Sequence, residues 1–178
     1  GVTQMSCDVH KYGYATKGAS VILHRNADWV WLQLFVYESW PSGLYGTPTV
    51  AGARPAGPIA AAWSVMNYLG MDGYLELMRG LMATTAKIRA GIEAISELSI
   101  MGNPIGPLLT FTSDVIDTYA VCDLMDDRGW NLDRNTNPNG LHMMISPLHE
   151  KYADEFLSDL RWAVANHGES RGIEARYN

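Results

Sequence analysis

The chain has 178 residues, of which 47% are hydrophobic, enough to bury a core in one or two domains. Its 13 basic and 19 acidic residues give a net charge of −6, which leaves no basic face for phosphates and argues against nucleic acid as a partner. No run of about 18 apolar residues is present, so no membrane-spanning segment is expected, and residues 1–7 lack the basic-then-apolar pattern of a leader. Two cysteines, Cys7 and Cys122, are too few for a disulfide framework and read as small buried hydrophobes suited to a reducing, cytoplasmic setting.

In residues 2–10, Met5, Cys7 and Val9 alternate with Ser6, Asp8 and His10, the period of two of a half-buried strand. Gly13 and Gly18 punctuate a turn, after which Ala19-Ser20-Val21-Ile22-Leu23 reads as a second strand, covered on both faces and paired with the first. Lys11 falls on the connection, where a rigid sheet aims it. A lysine amine, with an ordinary pKa of about 10.4, attacks a carbonyl only when burial or a neighbouring cation lowers that value, and His10 and Lys17 are the nearby groups. A carbonyl cofactor meets the same requirement by holding the lysine as an imine. From residue types alone, Lys11 and Lys17 read equally as solvated lysines on a turn.

Residues 29–45 are aromatic-rich and irregular, with Trp29, Trp31, Phe35, Tyr37, Trp40 and Tyr45 read as core and interface packing. Four prolines and four glycines make residues 40–58 a long loop, a length that is usually functional. Arg54 in that loop suits either a substrate anion or a structural carboxylate. Pro58 opens a buried helix that ends at Gly70, and Asp72 is placed to cap the next. Tyr74, Met78, Leu81, Met82, Ile88, Ile92 and Ile95 then recur at three- and four-residue spacings, predicting one amphipathic helix to about residue 98.

The remainder reads as a small α/β unit. Short strands are expected at 99–101 and 108–111, a helix capped by Ser113 or Asp114 and ended by Gly129, a strand at 141–146, and a helix over 150–166 with Tyr152, Phe156, Leu160 and Val164 inward. His142 and His149 fit no common zinc spacing and read as structural, so no metal site is expected. Past Gly168 the polar tail is expected to fray.

Asp8-Val9-His10-Lys11-Tyr12-Gly13-Tyr14 followed by Lys17-Gly18 closely resembles the lysine segment of the sphingosine-1-phosphate lyases, members of the pyridoxal-phosphate-dependent group II decarboxylase clan. Trp40-Pro41-Ser42-Gly43-Leu44-Tyr45, Pro48-Thr49, Ala51-Gly52, Arg54-Pro55, Gly70-Met71-Asp72-Gly73-Tyr74-Leu75 and Gly129-Trp130-Asn131-Leu132 extend the likeness in order to about Val164. The resemblance implies an α/β chain of fold type I. Residues 1–70 would be the end of the cofactor-binding large domain, and residues 71–178 the linking helix and small C-terminal domain.

It further implies that Lys11 carries pyridoxal 5'-phosphate and that His10 hydrogen-bonds the cofactor phosphate. Lys17 would lie near the reacting centre, binding the substrate phosphate or moving a proton of its 3-hydroxyl. The loop bearing Gly52 and Ala53 would complete the site of a neighbouring subunit in a homodimer, with Arg54 beside it for substrate. Where the family has a serine this chain has Ala53, so a backbone N–H of Gly52 or Ala53 would replace the hydroxyl. The implied reaction cleaves a phosphorylated long-chain 2-amino alcohol to phosphoethanolamine and a fatty aldehyde. Amino-acid decarboxylation is the alternative, disfavoured by Lys17-Gly18, and a non-catalytic chain is the third reading. The family's phosphate loop, ring-stacking residue and pyridine-pairing aspartate precede the lysine, so the sequence is expected to be part of a longer enzyme.

Overall fold

The computed structural model describes residues 1–172, which divide into two compact units, residues 1–72 and the part from Gly73 onward. In the first unit, β1 (Gln4–Cys7) and β2 (Val21–His24) form an antiparallel pair in the register Gln4↔His24 to Cys7↔Val21. The expectation that β2 is covered on both faces fails: Val21, Ile22 and Leu23 are all exposed, and β1 and β2 form a two-stranded sheet by themselves.

The stretch expected to be irregular contains α1 (Asp28–Gln33) and a second ribbon, β3 (Phe35–Tyr37) with β4 (Tyr45–Thr47), so the predicted long loop is interrupted by a strand. A relay of side chains joins these pieces. Gln4 Nε2 meets His24 Nδ1 at 3.1 Å, His24 Nε2 meets Gln33 Oε1 at 3.0 Å, and Gln33 Nε2 donates to the Pro48 carbonyl at 2.8 Å. Donation by the Gln4 amide requires the His24 proton to sit on Nε2.

The helix α2 (Ala56–Glu93) runs from one unit into the other and is broken at Gly70, whose φ of 59° and ψ of −173° no helical residue adopts. Gly70 therefore ends the first arm, as the sequence predicts. That arm is not buried, however: Ile59, Trp63, Met66 and Tyr68 are exposed, and Ala62 alone among its described residues is buried. The second arm buries Leu81, Ile88 and Ile92 as its periodicity predicts, and stops at Glu93 rather than near residue 98.

The second unit is an antiparallel sheet in the order β5-β6-β8-β7, formed by β5 (Ser99–Ile100), β6 (Leu108–Thr112), β7 (Asp133–Thr136) and β8 (Asn139–Met144). Helices α3 (Thr118–Asp127) and α4 (His149–Ala165) complete it. Leu109, Phe111 and Leu141 from the sheet, Val121, Cys122 and Met125 from α3, and Leu160 from α4 are at most 1% exposed. This is a contiguous apolar core.

Three local expectations change here. Asp117, not Ser113 or Asp114, caps α3, accepting from the Tyr119 N–H at 2.8 Å, while Ser113 Oγ accepts from Val115 and Ile116 in a separate turn. Tyr152 is 43% exposed, whereas Phe156, Leu160 and Val164 do face inward. The tail is fastened over its described part: Arg171 N–H donates to Asp123 at 2.7 Å, the Arg171 guanidinium pairs with Asp127, and the Gly172 carbonyl accepts from Arg134 at 2.8 Å. Residues 173–178 lie outside the described residues.

Candidate active site on the Lys11 turn

The turn between β1 and β2 is held by its own backbone. Lys11 N–H donates to the Asp8 carbonyl at 3.1 Å, Tyr14 N–H to Lys11 at 3.0 Å, and Ala15 N–H to Val9 at 2.9 Å. Gly13 is required by space, since a Cβ there would sit 2.5 Å from the Val9 carbonyl oxygen. Tyr14 takes the left-handed conformation with φ 57°, unusual for a residue with a side chain, and Gly18, at φ 112°, would carry a Cβ only 2.8 Å from Pro58. Lys11 thus projects from a backbone restrained on both sides.

Asp8 is the electrostatic centre of this turn. Its carboxylate accepts the Ser20 hydroxyl at 2.8 Å and lies 3.4 Å from Lys11 Nζ and 3.9 Å from His10 Nε2. The Ser20 hydroxyl first, and then Lys11, hold the Asp8 carboxyl below its ordinary range. The other ring nitrogen of His10, Nδ1, is 3.5 Å from the Ala19 carbonyl, so both nitrogens lie near acceptors of the chain. The Lys11 side chain is 56% exposed, against 21% for His10, which leaves the amine open to a reagent.

Beside the turn is a largely apolar groove of about 590 Å³, lined by Val9, Gly18, Arg54, Ile59, Trp63 and Met66 among others. Arg54 therefore lies on the same groove as the residues flanking the lysine turn. Lys17 is exposed and makes no ion pair among the described residues. Gly52, at φ 64°, already donates its N–H to the Thr49 carbonyl at 3.3 Å, so of the two backbone donors considered for a phosphate only that of Ala53 remains.

The structure brings Asp8, His10, Lys11 and Ser20 into contact. The sequence alone does not mark Asp8 or Ser20 as site residues. The available signal was an acidic residue three positions before a lysine on a Gly-rich turn.

In the second unit, Trp130, Asp133, His142, Met144, His149 and Phe156 help line a smaller cavity of about 360 Å³. Its histidines are engaged: His142 Nδ1 meets Thr110 Oγ1 at 3.2 Å, and His149 Nδ1 accepts the Ser146 N–H at 3.0 Å. Among the described residues no group of three or more His, Cys, Asp or Glu side chains is placed to hold a metal ion.

No family model matches the chain. Individual proteins do. The sphingosine-1-phosphate lyase of Oryza sativa is 42% identical over 164 residues, covering 92% of this chain and 30% of that protein. The Saccharomyces cerevisiae sphingosine-1-phosphate lyase is 38% identical, over 92% of this chain and 28% of its own. Among solved structures, the sphingosine-1-phosphate lyase of Burkholderia pseudomallei superposes with a TM-score of 0.87 at 38% identity, over 94% of this chain and 38% of that one. A glutamate decarboxylase of Lactobacillus brevis, with a TM-score of 0.73 at 17% identity, shares the fold alone. The chain spans about 30% of the length of the curated relatives it matches. Its fold is that of the pyridoxal-phosphate-dependent fold type I enzymes. Over nearly all of its length the chain is related to the C-terminal portion of the sphingosine-1-phosphate lyases.

Proposed function

We propose that this chain is the C-terminal part of a pyridoxal-phosphate-dependent carbon–carbon lyase acting on a phosphorylated long-chain 2-amino alcohol and releasing phosphoethanolamine and a fatty aldehyde. The observation that carries the reading is Lys11: an accessible amine on a turn fixed by Gly13, next to an imidazole, within a sequence 42% identical to a lyase. A carbonyl cofactor needs an amine of that kind, exposed to attack yet fixed in direction, and the residues present fit it.

Lys11 would hold the cofactor covalently, and His10 would donate to its phosphate by turning one ring nitrogen from Asp8 or Ala19. When bound, pyridoxal phosphate supplies the electron sink for the pair left at C2 as the C2–C3 bond breaks. The chain's own task is then proton and charge management. The 3-hydroxyl must lose its proton as the aldehyde carbonyl forms, and C2 must gain one. Lys17, exposed and without an ion-pair partner among the described residues, is the group for the hydroxyl proton or for the substrate phosphate. Arg54, on the groove beside the turn, would anchor the phosphate, and its apolar wall at Ile59, Trp63 and Met66 suits packing against other apolar surface.

Residues 1–70 would be the end of the cofactor-binding large domain, and residues 71–178 the linking helix and small domain. The enzyme would be a cytoplasmic homodimer in which the Gly52–Ala53 loop completes the neighbour's site through the Ala53 N–H. The test is product analysis of the full-length polypeptide given a phosphorylated sphingoid base or an amino acid. Fatty aldehyde and phosphoethanolamine are expected, falling about 100-fold or more in Lys17→Met. Carbon dioxide from the amino acid, with no aldehyde, would replace this reading with a decarboxylase.

A further inference from the structure

The known chemistry of a cofactor lysine leaves one question about this turn: what holds the amine when it is not bonded. An alkylammonium on a flexible four-carbon stem samples many rotamers, and ordering it costs side-chain entropy. On the Lys11 turn one carboxylate is placed to limit that sampling. Asp8 Oδ2 lies 3.4 Å from Lys11 Nζ, while Asp8 Oδ1 accepts the Ser20 hydroxyl at 2.8 Å from the other end of the turn, twelve residues away. The same carboxylate lies 3.9 Å from His10 Nε2. Asp8 is therefore tied to the second strand before it meets the lysine.

We propose that Asp8, fixed by Ser20, is the positioning residue of the lysine segment, providing the place where the Lys11 ammonium rests whenever the amine is free. This rests on the reading of Lys11 as the cofactor lysine. Asp8 touches neither cofactor nor substrate in this role and acts through Lys11 and His10. Among the described residues, the groups facing its carboxylate are Ser20, Lys11 and His10. The pair is half-exposed, so its value lies in direction rather than in stability: exposed ion pairs contribute little to folding. While the ammonium is held against Asp8, 3.4 Å away, it is presented less often to a reagent in solution.

The experiment is competitive acetylation of the full-length polypeptide freed of cofactor, at fixed neutral pH with limiting acetic anhydride, read at each lysine by mass spectrometry. Lys17, on the same turn, is the internal reference. In Asp8→Asn, acetylation of Lys11 relative to Lys17 should rise about two- to fivefold, the size set by an exposed ion pair. Asp8→Glu should return the ratio towards the parent value, and Ser20→Ala should give a smaller rise, because the charge stays and only its anchor is lost. An unchanged ratio in Asp8→Asn overturns the proposal. So does a rise shared equally by Lys17, which would mean a loosened turn rather than a lost partner. Borohydride trapping of pyridoxal phosphate in the parent separates the two claims. Trapping at Lys11 with an unchanged acetylation ratio refutes Asp8 alone, and no trapping there refutes the cofactor reading.

Discussion

The two units of this chain spend their apolar residues in opposite ways. From Gly73 onward, Ile88, Ile92, Phe111, Val121, Cys122, Leu141, Ile145 and Leu160 are completely buried, and the sheet and its helices share one core. In residues 1–72, Thr47 and Ala62 are the buried residues, while Ile22, Leu23, Phe35, Trp63 and Met66 are exposed. Every residue assigned to the lysine site lies in this second, open kind of region. The lesson is that the site is held by local means: the turn hydrogen bonds, the space limit at Gly13 and the Asp8 hub, with little packing behind them. Hydrophobic burial at roughly 25 cal/mol per Å² stabilises the other unit, and far less of it is available to this one.

That contrast breaks most sharply under truncation of apolar side chains. Phe111→Ala in the 178-residue chain should cost about 3–5 kcal/mol in denaturant unfolding, since it empties a fully enclosed site. Trp63→Ala, at a side chain 67% exposed, should stay within about 0.5 kcal/mol despite the larger volume removed. Equal losses would mean that the first unit is packed as tightly as the second.

The ion pairs sharpen the same comparison. Arg134 is 5% exposed and bonds Asp123 at 2.6 Å and Asp126 at 3.2 Å, so Arg134→Met takes the buried guanidinium away from two carboxylates and should cost about 3 kcal/mol. Burial pushes the Asp123 carboxyl up, but the Arg171 N–H and the Arg134 guanidinium outweigh it and hold the group below its ordinary range. A depressed folded value contributes stability that is complete above the unfolded carboxyl pKa of about 3.9 and is lost as pH falls through the folded one. Acid titration of unfolding stability should therefore show a decline beginning near pH 4 that is flattened in Arg134→Met. A decline of the same size in both proteins would remove this pair from the account.

Much of this was legible in the sequence, for identifiable reasons. Leu81, Ile88 and Ile92 mark the second arm of α2 because an inward face repeats every three to four residues, and Gly70 marks its start because no other residue tolerates that backbone. The lysine turn was legible through its glycines and through the resemblance of residues 8–18. β7 was not, because Asp133-Arg134-Asn135-Thr136 has no apolar alternation and Arg134 is buried by charge pairing rather than by hydrophobicity. β2 reads as doubly covered because Val21-Ile22-Leu23 signals burial, but residues 1–172 leave all three exposed. The Asp8–Ser20 contact was hidden because it joins two positions twelve apart, and spacing alone says nothing of which hydroxyl closes a turn.

The most direct test of the central claim is reduction with borohydride after pyridoxal phosphate is added to the full-length polypeptide, with the modified lysine mapped by mass spectrometry. The account predicts a reduced adduct on Lys11, with an imine absorption band that disappears in Lys11→Ala. An adduct on Lys17 alone, or an undiminished band in Lys11→Ala, would contradict it.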